Sequence, residues 1–212
     1  MCLLHFNELP FHHHFAEVDG STLGPDRLEG PIGSTLGEDI WREPVVHFKA
    51  VPGKMPIIPD DILSDLSRDQ KLAYRWGHAI QSGNVPDDLV SQVIGPLIHV
   101  RWLTRSVRSL AKYARTKRPT KKFTRIVSFI LNQYLPGWFR IKSRPHIQDG
   151  ARNFQYLLDL SHDLCQEDQI IVHRVMQDNS HWAHPENVIL SCIGDEREEV
   201  RQKAVLYIMA AR

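Results

Sequence analysis

The stretch Arg101-Trp102-Leu103-Thr104-Arg105-Ser106-Val107-Arg108-Ser109-Leu110-Ala111-Lys112-Tyr113-Ala114-Arg115 sets the fold class. Arg101, Arg105, Arg108, Lys112 and Arg115 recur at steps of 4, 3, 4 and 3. At about 100° per residue they share one helix face, within an arc of about 80°. Trp102, Leu103, Val107, Leu110, Ala111 and Ala114 occupy the other side, apolar enough to dock the helix on its neighbours. The segment therefore reads as a helix over about 100–115, ending before Pro119, with a cationic stripe opposed to an apolar face.

The helical period extends in both directions. Upstream, Ile62, Leu63 and Leu66, then Leu72, Ala73, Trp76, Ala79 and Ile80, recur at three- and four-residue steps, with Ser67 as N-cap and Gly83 as the stop. Downstream, a helix over about 121–135 carries Phe123, Ile126, Val127, Ile130, Leu131 and Tyr134 on one face and closes at Pro136-Gly137. Further helices are expected at 150–161, 167–177, 185–193 and 195–211. Pro185 suits a first helical position, and Asp195 with Glu198 matches a capping box. Residues 1–60 differ, because they hold 7 of the 13 prolines and 6 of the 12 glycines. That punctuation predicts no long helix there, with short extended pieces at 2–6 and 44–48. The expected fold is mainly α: an irregular Pro/Gly-rich N-terminal third, residues 1–60, followed by a helical array of about six to seven helices over residues 61–212. The apolar opening Met1 to Phe6 reads as a strand entered halfway, so 1–60 is expected to be the remnant of a larger core.

The whole chain has 212 residues and a formal net charge of +1. This excludes collagen-like, low-complexity and wholly disordered chains, and no apolar run reaches the roughly 20 residues of a membrane-spanning helix. The near-neutral total conceals an asymmetry. Residues 89–148 hold 13 Lys and Arg and no Asp or Glu, which leaves the other residues with a net charge of −12. Such partition points to a polyanionic partner or to an internal acidic one. Three cysteines, Cys2, Cys165 and Cys192, form no disulfide framework, and the start lacks a secretory signal. The chain is expected to be intracellular, with a nuclear location if it meets DNA, and neither secreted nor transmembrane.

Lys117, Arg118, Lys121, Lys122 and Arg125 extend the stripe of Arg101, Arg105, Arg108, Lys112 and Arg115, and Arg140, Lys142 and Arg144 lie beyond them. Nucleic-acid backbone is the natural ligand of such a surface, since cations that neutralise phosphates release condensed counterions. The bland alternative is a solvated face paired to the acidic C-terminal helices. Cys2 and His5 form a Cys-x-x-His pair that could be half of a metal site, with His12-His13-His14 downstream, but no second pair at zinc-site spacing is present. Glu186 lies in the first turn of an expected helix, where the dipole alone explains a carboxylate. Gly30-Pro31-Ile32-Gly33-Ser34-Thr35 lacks the lysine of a phosphate loop and reads as a turn. No nucleophile triad is legible.

Cys2-Leu3-Leu4-His5-Phe6-Asn7-Glu8-Leu9-Pro10, Asp19-Gly20, Gly30-Pro31-Ile32-Gly33, the run from Gly95 to Thr104 and Ala183-His184-Pro185-Glu186-Asn187 together resemble a family of uncharacterised proteins, multiplied in arthropod and cnidarian genomes, that derive from mobile elements. The order Cys-x-x-His then Arg-Trp is also similar to that of RNase H-like transposases of the hAT, P-element and Kolobok type. In those enzymes a catalytic Asp precedes Cys-x-x-His, a largely helical insertion carries Arg-Trp, and a final catalytic Glu comes after it. The resemblance maps Cys2 and His5 onto the first motif and Arg101 and Trp102 onto the second. It makes Glu186 the candidate last metal-binding carboxylate, with Glu196, Glu198 and Glu199 as competitors. Catalysis in such enzymes uses carboxylates that hold two metal ions. Both upstream aspartates would lie before Met1, so the resemblance implies an insertion region without its catalytic core.

The expectation is therefore a non-catalytic fragment of a transposase-like protein whose basic helical surface contacts DNA. The alternative is a helical protein–protein interaction module whose basic stripe pairs with an acidic protein or with the tail at Asp195 to Glu199. No cofactor is expected of the chain itself; a divalent metal enters only with a complete catalytic core.

Overall fold

A computed structural model describes residues 3–24, 27–37, 39–95, 101–145, 149–179, 189 and 192–210. The chain is mainly α-helical. Its elements are α1 (Leu3–Asp19), a hairpin of β1 (Thr22–Gly24) and β2 (Arg27–Leu28), then α2 (Asp60–Asp65), α3 (Arg68–Ser82), α4 (Asp87–Val90), α5 (Arg101–Tyr113) and α6 (Lys121–Phe129). A π-helical turn, Ile130–Tyr134, leads into α7 (Leu135–Ser143), and then come α8 (Gly150–Ser161), α9 (Gln166–Asn179) and α10 (Glu198–Ala210). Among the described residues no helix is long and apolar enough to cross a membrane. The chain falls into two compact units, Phe11–Pro136 and Met1–Pro10 with Gly137–Arg212.

Residues 3–19 overturn the expectation of strand and loop. α1 is a 17-residue helix with Pro10 inside it. An interior proline costs a helix about 3 kcal/mol. Against that, Phe6, Phe11, Phe15 and Val18 are all buried, each stabilising by roughly 1.5–3 kcal/mol, so tertiary burial outweighs the local penalty. Phe11 is the anchor, with ring centroids 4.6 Å from Tyr134 and 5.3 Å from Trp102. Gly20, at φ 118°, ends the helix in a conformation that suits glycine. The proline and glycine density belongs to the residues after α1.

Asp19 organises the loop beyond the hairpin. Its buried carboxylate accepts hydrogen bonds from the Ile32 N–H at 2.8 Å and the Gly33 N–H at 2.6 Å. A Cβ at Gly30 would collide with the Asp19 backbone and carboxylate. The Gly30–Gly33 loop is thus a close-packed turn clasped by the C-terminus of α1.

Residues 43–59 have no regular secondary structure but form an extended strap on the helices. Val46 N–H donates to Ala114 O (3.0 Å), Val51 N–H to Ile80 O (3.2 Å) and Lys54 N–H to Leu131 O (2.9 Å). Each bond satisfies a carbonyl at or near a helix end or at the π turn, where the regular ladder leaves one open. Phe48, Val51, Met55 and Ile58 are buried along the strap. The chain accordingly does not divide at residue 60, because the strap packs into the same unit as α3, α5 and α6. The piece expected at 44–48 is extended, but it pairs with a helix end and not with a sheet.

α3 begins and ends at the residues expected of it, with Ser67 and Gln70 in a capping box and Gly83 at φ 77°. The expected stop at Pro136-Gly137 fails. The helix from Lys121 passes through the π turn and continues to Ser143. A π turn shifts the hydrogen-bond register, and Pro136 stands second in the resumed α-helix, where a missing N–H is tolerated.

In the second unit, Phe6 packs on Phe154 with centroids 5.6 Å apart, and the Asn153 side chain donates to Arg144 O at 2.8 Å. α8 spans 150–161 as expected. The capping box expected at Asp195 and Glu198 does not form, because α10 starts at Glu198, whose carboxylate accepts from Arg201 and Gln202. Asp195, fully buried at its side chain, instead accepts from the Arg197 N–H (2.9 Å) and side chain and pairs with Arg152 at 3.3 Å. Most of the helix expected over 185–193 lies outside the described residues.

Two urea-unfolding measurements test the clasp. Asp19→Ala leaves two buried N–H groups without an acceptor and is expected to cost roughly 1–3 kcal/mol. Gly30→Ala is expected to cost about 1–3 kcal/mol through overpacking; an unchanged urea midpoint in both variants would contradict the arrangement.

Candidate nucleic-acid interface

Among its described side chains, the stripe of α5 does not face solvent. Arg105, Arg108 and Arg115 retain only 4%, 3% and 7% of their accessible surface. Arg105 Nη1 donates to Leu36 O at 3.0 Å, and Arg108 Nη2 to Gly95 O at 3.0 Å. Arg115 donates three ways, from Nε to Glu43 O (2.7 Å), Nη1 to Ala111 O (3.1 Å) and Nη2 to Val90 O (3.0 Å). Its guanidinium also lies 5.2 Å from the centre of the Trp76 ring. Lys112 Nζ bonds both Glu43 carboxylate oxygens at 2.7 Å. Arg105, Arg108, Lys112 and Arg115 are therefore not a free surface, and within the second unit Asp195, Glu196 and Glu198 pair with Arg152, Arg197 and Arg201.

The physical reason is visible on the rest of the helix. Between its apolar residues α5 carries Thr104, Ser106 and Ser109, all buried. The Ser106 and Ser109 hydroxyls donate to Leu103 O (2.7 Å) and Arg105 O (2.9 Å) of the same helix. With small, self-satisfied polar residues on its flanks, α5 can be enclosed on every side. An enclosed arginine needs acceptors, and its planar fork of donors can reach carbonyls of several segments at once. Burial pushes the Arg115 pKa down, while Glu43 works in the opposite direction.

Of the ten cations expected at the interface, four are exposed: Lys117 and Arg118 in the α5–α6 turn, and Lys121 and Lys122 in the first turn of α6. Arg125 is half-buried. The Arg101 side chain, Cys2 and Glu186 lie outside the described residues. Thr120 caps α6 by accepting from the Phe123 N–H at 3.1 Å. The first turn of α6 contains no acidic residue, so two lysines stand at the positive end of the helix dipole, where anions are favoured.

The metal candidates separate. His5 is exposed, with Nδ1 3.2 Å from Glu8 Oε2, one turn along α1. His14 is a core residue stacked on Phe129 at 4.0 Å, and His12 sits 5.1 Å from the Trp102 ring. Among the described residues no group of three or more His, Cys, Asp and Glu side chains is placed to hold a metal ion. Comparison with known protein families, with characterised proteins and with solved structures finds no match.

The geometry assigns opposite behaviour to the two halves of the basic belt. Arg105→Ala, Arg108→Ala and Arg115→Ala are each expected to cost about 2–4 kcal/mol in urea unfolding, from charged hydrogen bonds and lost packing. Lys121→Ala and Lys122→Ala should stay within about 0.5 kcal/mol. Equal effects in the two groups would contradict the burial. Burial and His13 also hold the His12 pKa below its ordinary value. The unfolded chain then binds the extra proton first as pH falls below about 6.5, so stability is lost in that direction. His12→Gln should reduce the loss of Tm between neutral pH and the acid side of that window, and an unaltered pH profile would contradict the assignment.

Proposed function

We propose that the chain is a helical, non-catalytic part of a transposase-like protein that contacts nucleic-acid backbone through the α5–α6 turn. The observation that carries this reading is the group Lys117, Arg118, Lys121 and Lys122: four exposed cations within six residues, with no carboxylate partner among the described residues. The lysines at the α6 N-terminus are placed against the local electrostatic preference. Local rules of this kind are broken most often where function requires it. Phosphates arriving at the turn would relieve that repulsion and release their counterions.

The test is fluorescence anisotropy with a labelled duplex. The quadruple variant Lys117→Glu, Arg118→Glu, Lys121→Glu, Lys122→Glu should keep its circular dichroism and lose at least tenfold in affinity. Undiminished binding by a folded quadruple variant would remove the turn from the interface.

A second reading, a protein-interaction module, is favoured by α10. Val205, Leu206, Tyr207 and Met209 are 43–68% exposed there. Ile193, Val205 and Leu206 line a depression of about 490 Å³. The occupant of this reading is a second copy of the chain, since a two-fold contact uses the same patch twice. Sedimentation should then show a dimer that Leu206→Glu with Met209→Glu converts to monomer. A monomeric parent protein ends this reading.

A further inference from the structure

We infer that Thr120 is a modification site, the acceptor of a phosphoryl group from a protein kinase that recognises basic flanks. The connection 114–120 lies between α5, which ends at Tyr113, and α6, which begins at Lys121. Thr120 is its last residue, exposed and extended at φ −66°, ψ 160°. Lys117 and Arg118 precede it by three and two places, and Lys121 and Lys122 follow directly, all four exposed. A kinase with an acid-lined cleft selects substrates by charge patterns of this kind.

Exposure separates Thr120 from the other hydroxyls in the same basic context. Among the described residues Thr104, Thr124, Ser128 and Ser143 also follow a Lys or Arg by three places. Thr104 is buried, and the other three are half-buried. The Thr124 hydroxyl donates to Thr120 O at 3.1 Å, and that of the half-buried Thr116 to Lys112 O at 2.7 Å. Thr120 Oγ1 instead accepts, from the Phe123 N–H at 3.1 Å. Phe123 is the first buried residue after Thr120. A kinase cleft therefore needs only the end of α6 to fray, the least costly kind of opening.

In the transfer, Thr120 Oγ1 attacks the γ-phosphorus of ATP. The new O–P bond forms as the bond from that phosphorus to the β–γ bridging oxygen breaks, the hydroxyl proton passes to the kinase's catalytic carboxylate, and ADP leaves. The ester carries a charge of about −1.5 to −2 at pH 7 and three acceptor oxygens. It stands at the head of α6, whose first turn has two lysines and no acid, where the N–H groups and the dipole favour an anion. Arg125, half-buried one turn beyond Lys121, adds to the positive field there. On the backbone-contact reading the modification weakens nucleic-acid binding, since it cancels up to about half of the four exposed charges; the acceptor site itself does not rest on that reading.

The experiment incubates the full chain with Mg²⁺, ATP and the purified catalytic domain of an arginine-directed Ser/Thr kinase, and maps phosphate by mass spectrometry. One phosphate is expected, on Thr120 and likewise in Thr120→Ser. Thr120→Asn, which keeps a capping side chain, should take none at that position. Lys117→Gln with Arg118→Gln should slow the transfer at least tenfold. The modified chain should melt about 2–4 °C above the unmodified one, and phosphatase treatment should remove the shift. Phosphate arriving first on Thr116, Thr124 or Ser128 of the folded chain, transfer indifferent to the Lys117 and Arg118 substitutions, absence of transfer, or a lowered Tm would each overturn the inference. None of these readouts involves nucleic acid, so the site and the backbone-contact reading fail separately.

Discussion

Arginines enclosed on one helix and bonded to main-chain carbonyls of distant segments are the constraint on which the Phe11–Pro136 unit depends. Leu36, Glu43, Val90 and Gly95 belong to stretches without long helices of their own. Each offers a carbonyl oxygen that Arg105, Arg108 or Arg115 occupies. An unpaired buried cation is far costlier than a paired one, so these loops have little freedom to leave without destabilising the helix beneath them. The strap over residues 43–59 completes the arrangement from the other side, its N–H groups meeting carbonyls of α3, the α5 C-terminus and the π turn. Loop and helix each provide what the other lacks, donors on one and acceptors on the other.

This division explains the charge partition. A belt of 13 cations without a carboxylate would be a strong field if it were all solvated. The fold withdraws part of it. Three arginines of the α5 stripe lie in the interior and Lys112 is matched to Glu43, whereas Lys117, Arg118, Lys121 and Lys122 remain outside. The binding hypothesis therefore moves from the middle of α5 to the α5–α6 turn, and its expected strength falls from ten phosphate contacts to four.

Much of the fold was legible where local signals and tertiary packing agree. Ser67 with Gln70 and Gly83 bounded α3, because capping chemistry is encoded within a few residues, and α8 also spans the expected Gly150–Ser161. α1 was not legible, since its low local propensity and internal Pro10 are overridden by Phe11, Phe15 and Val18, and the rings that meet Phe11 lie about a hundred residues away in sequence. The passage through Pro136 was hidden for a related reason: a π turn has no strong sequence signature. For the candidate site, the 4-3-4-3 spacing located the right helix face but could not say which way it points. One signal was legible in the composition. Arg105 and Arg108, at the middle of the stripe, are arginines with Ser or Thr as immediate neighbours, a pattern suited to enclosure and not to a solvated face.

The central claim is that Arg105, Arg108 and Arg115 are internal and Arg118 is not. Native-state modification by a guanidine-directed dicarbonyl, mapped by mass spectrometry, measures this directly. Arg118 should be modified rapidly, and Arg105, Arg108 and Arg115 only once denaturant unfolds the chain. Modification of all four at similar rates in the folded protein would contradict the account.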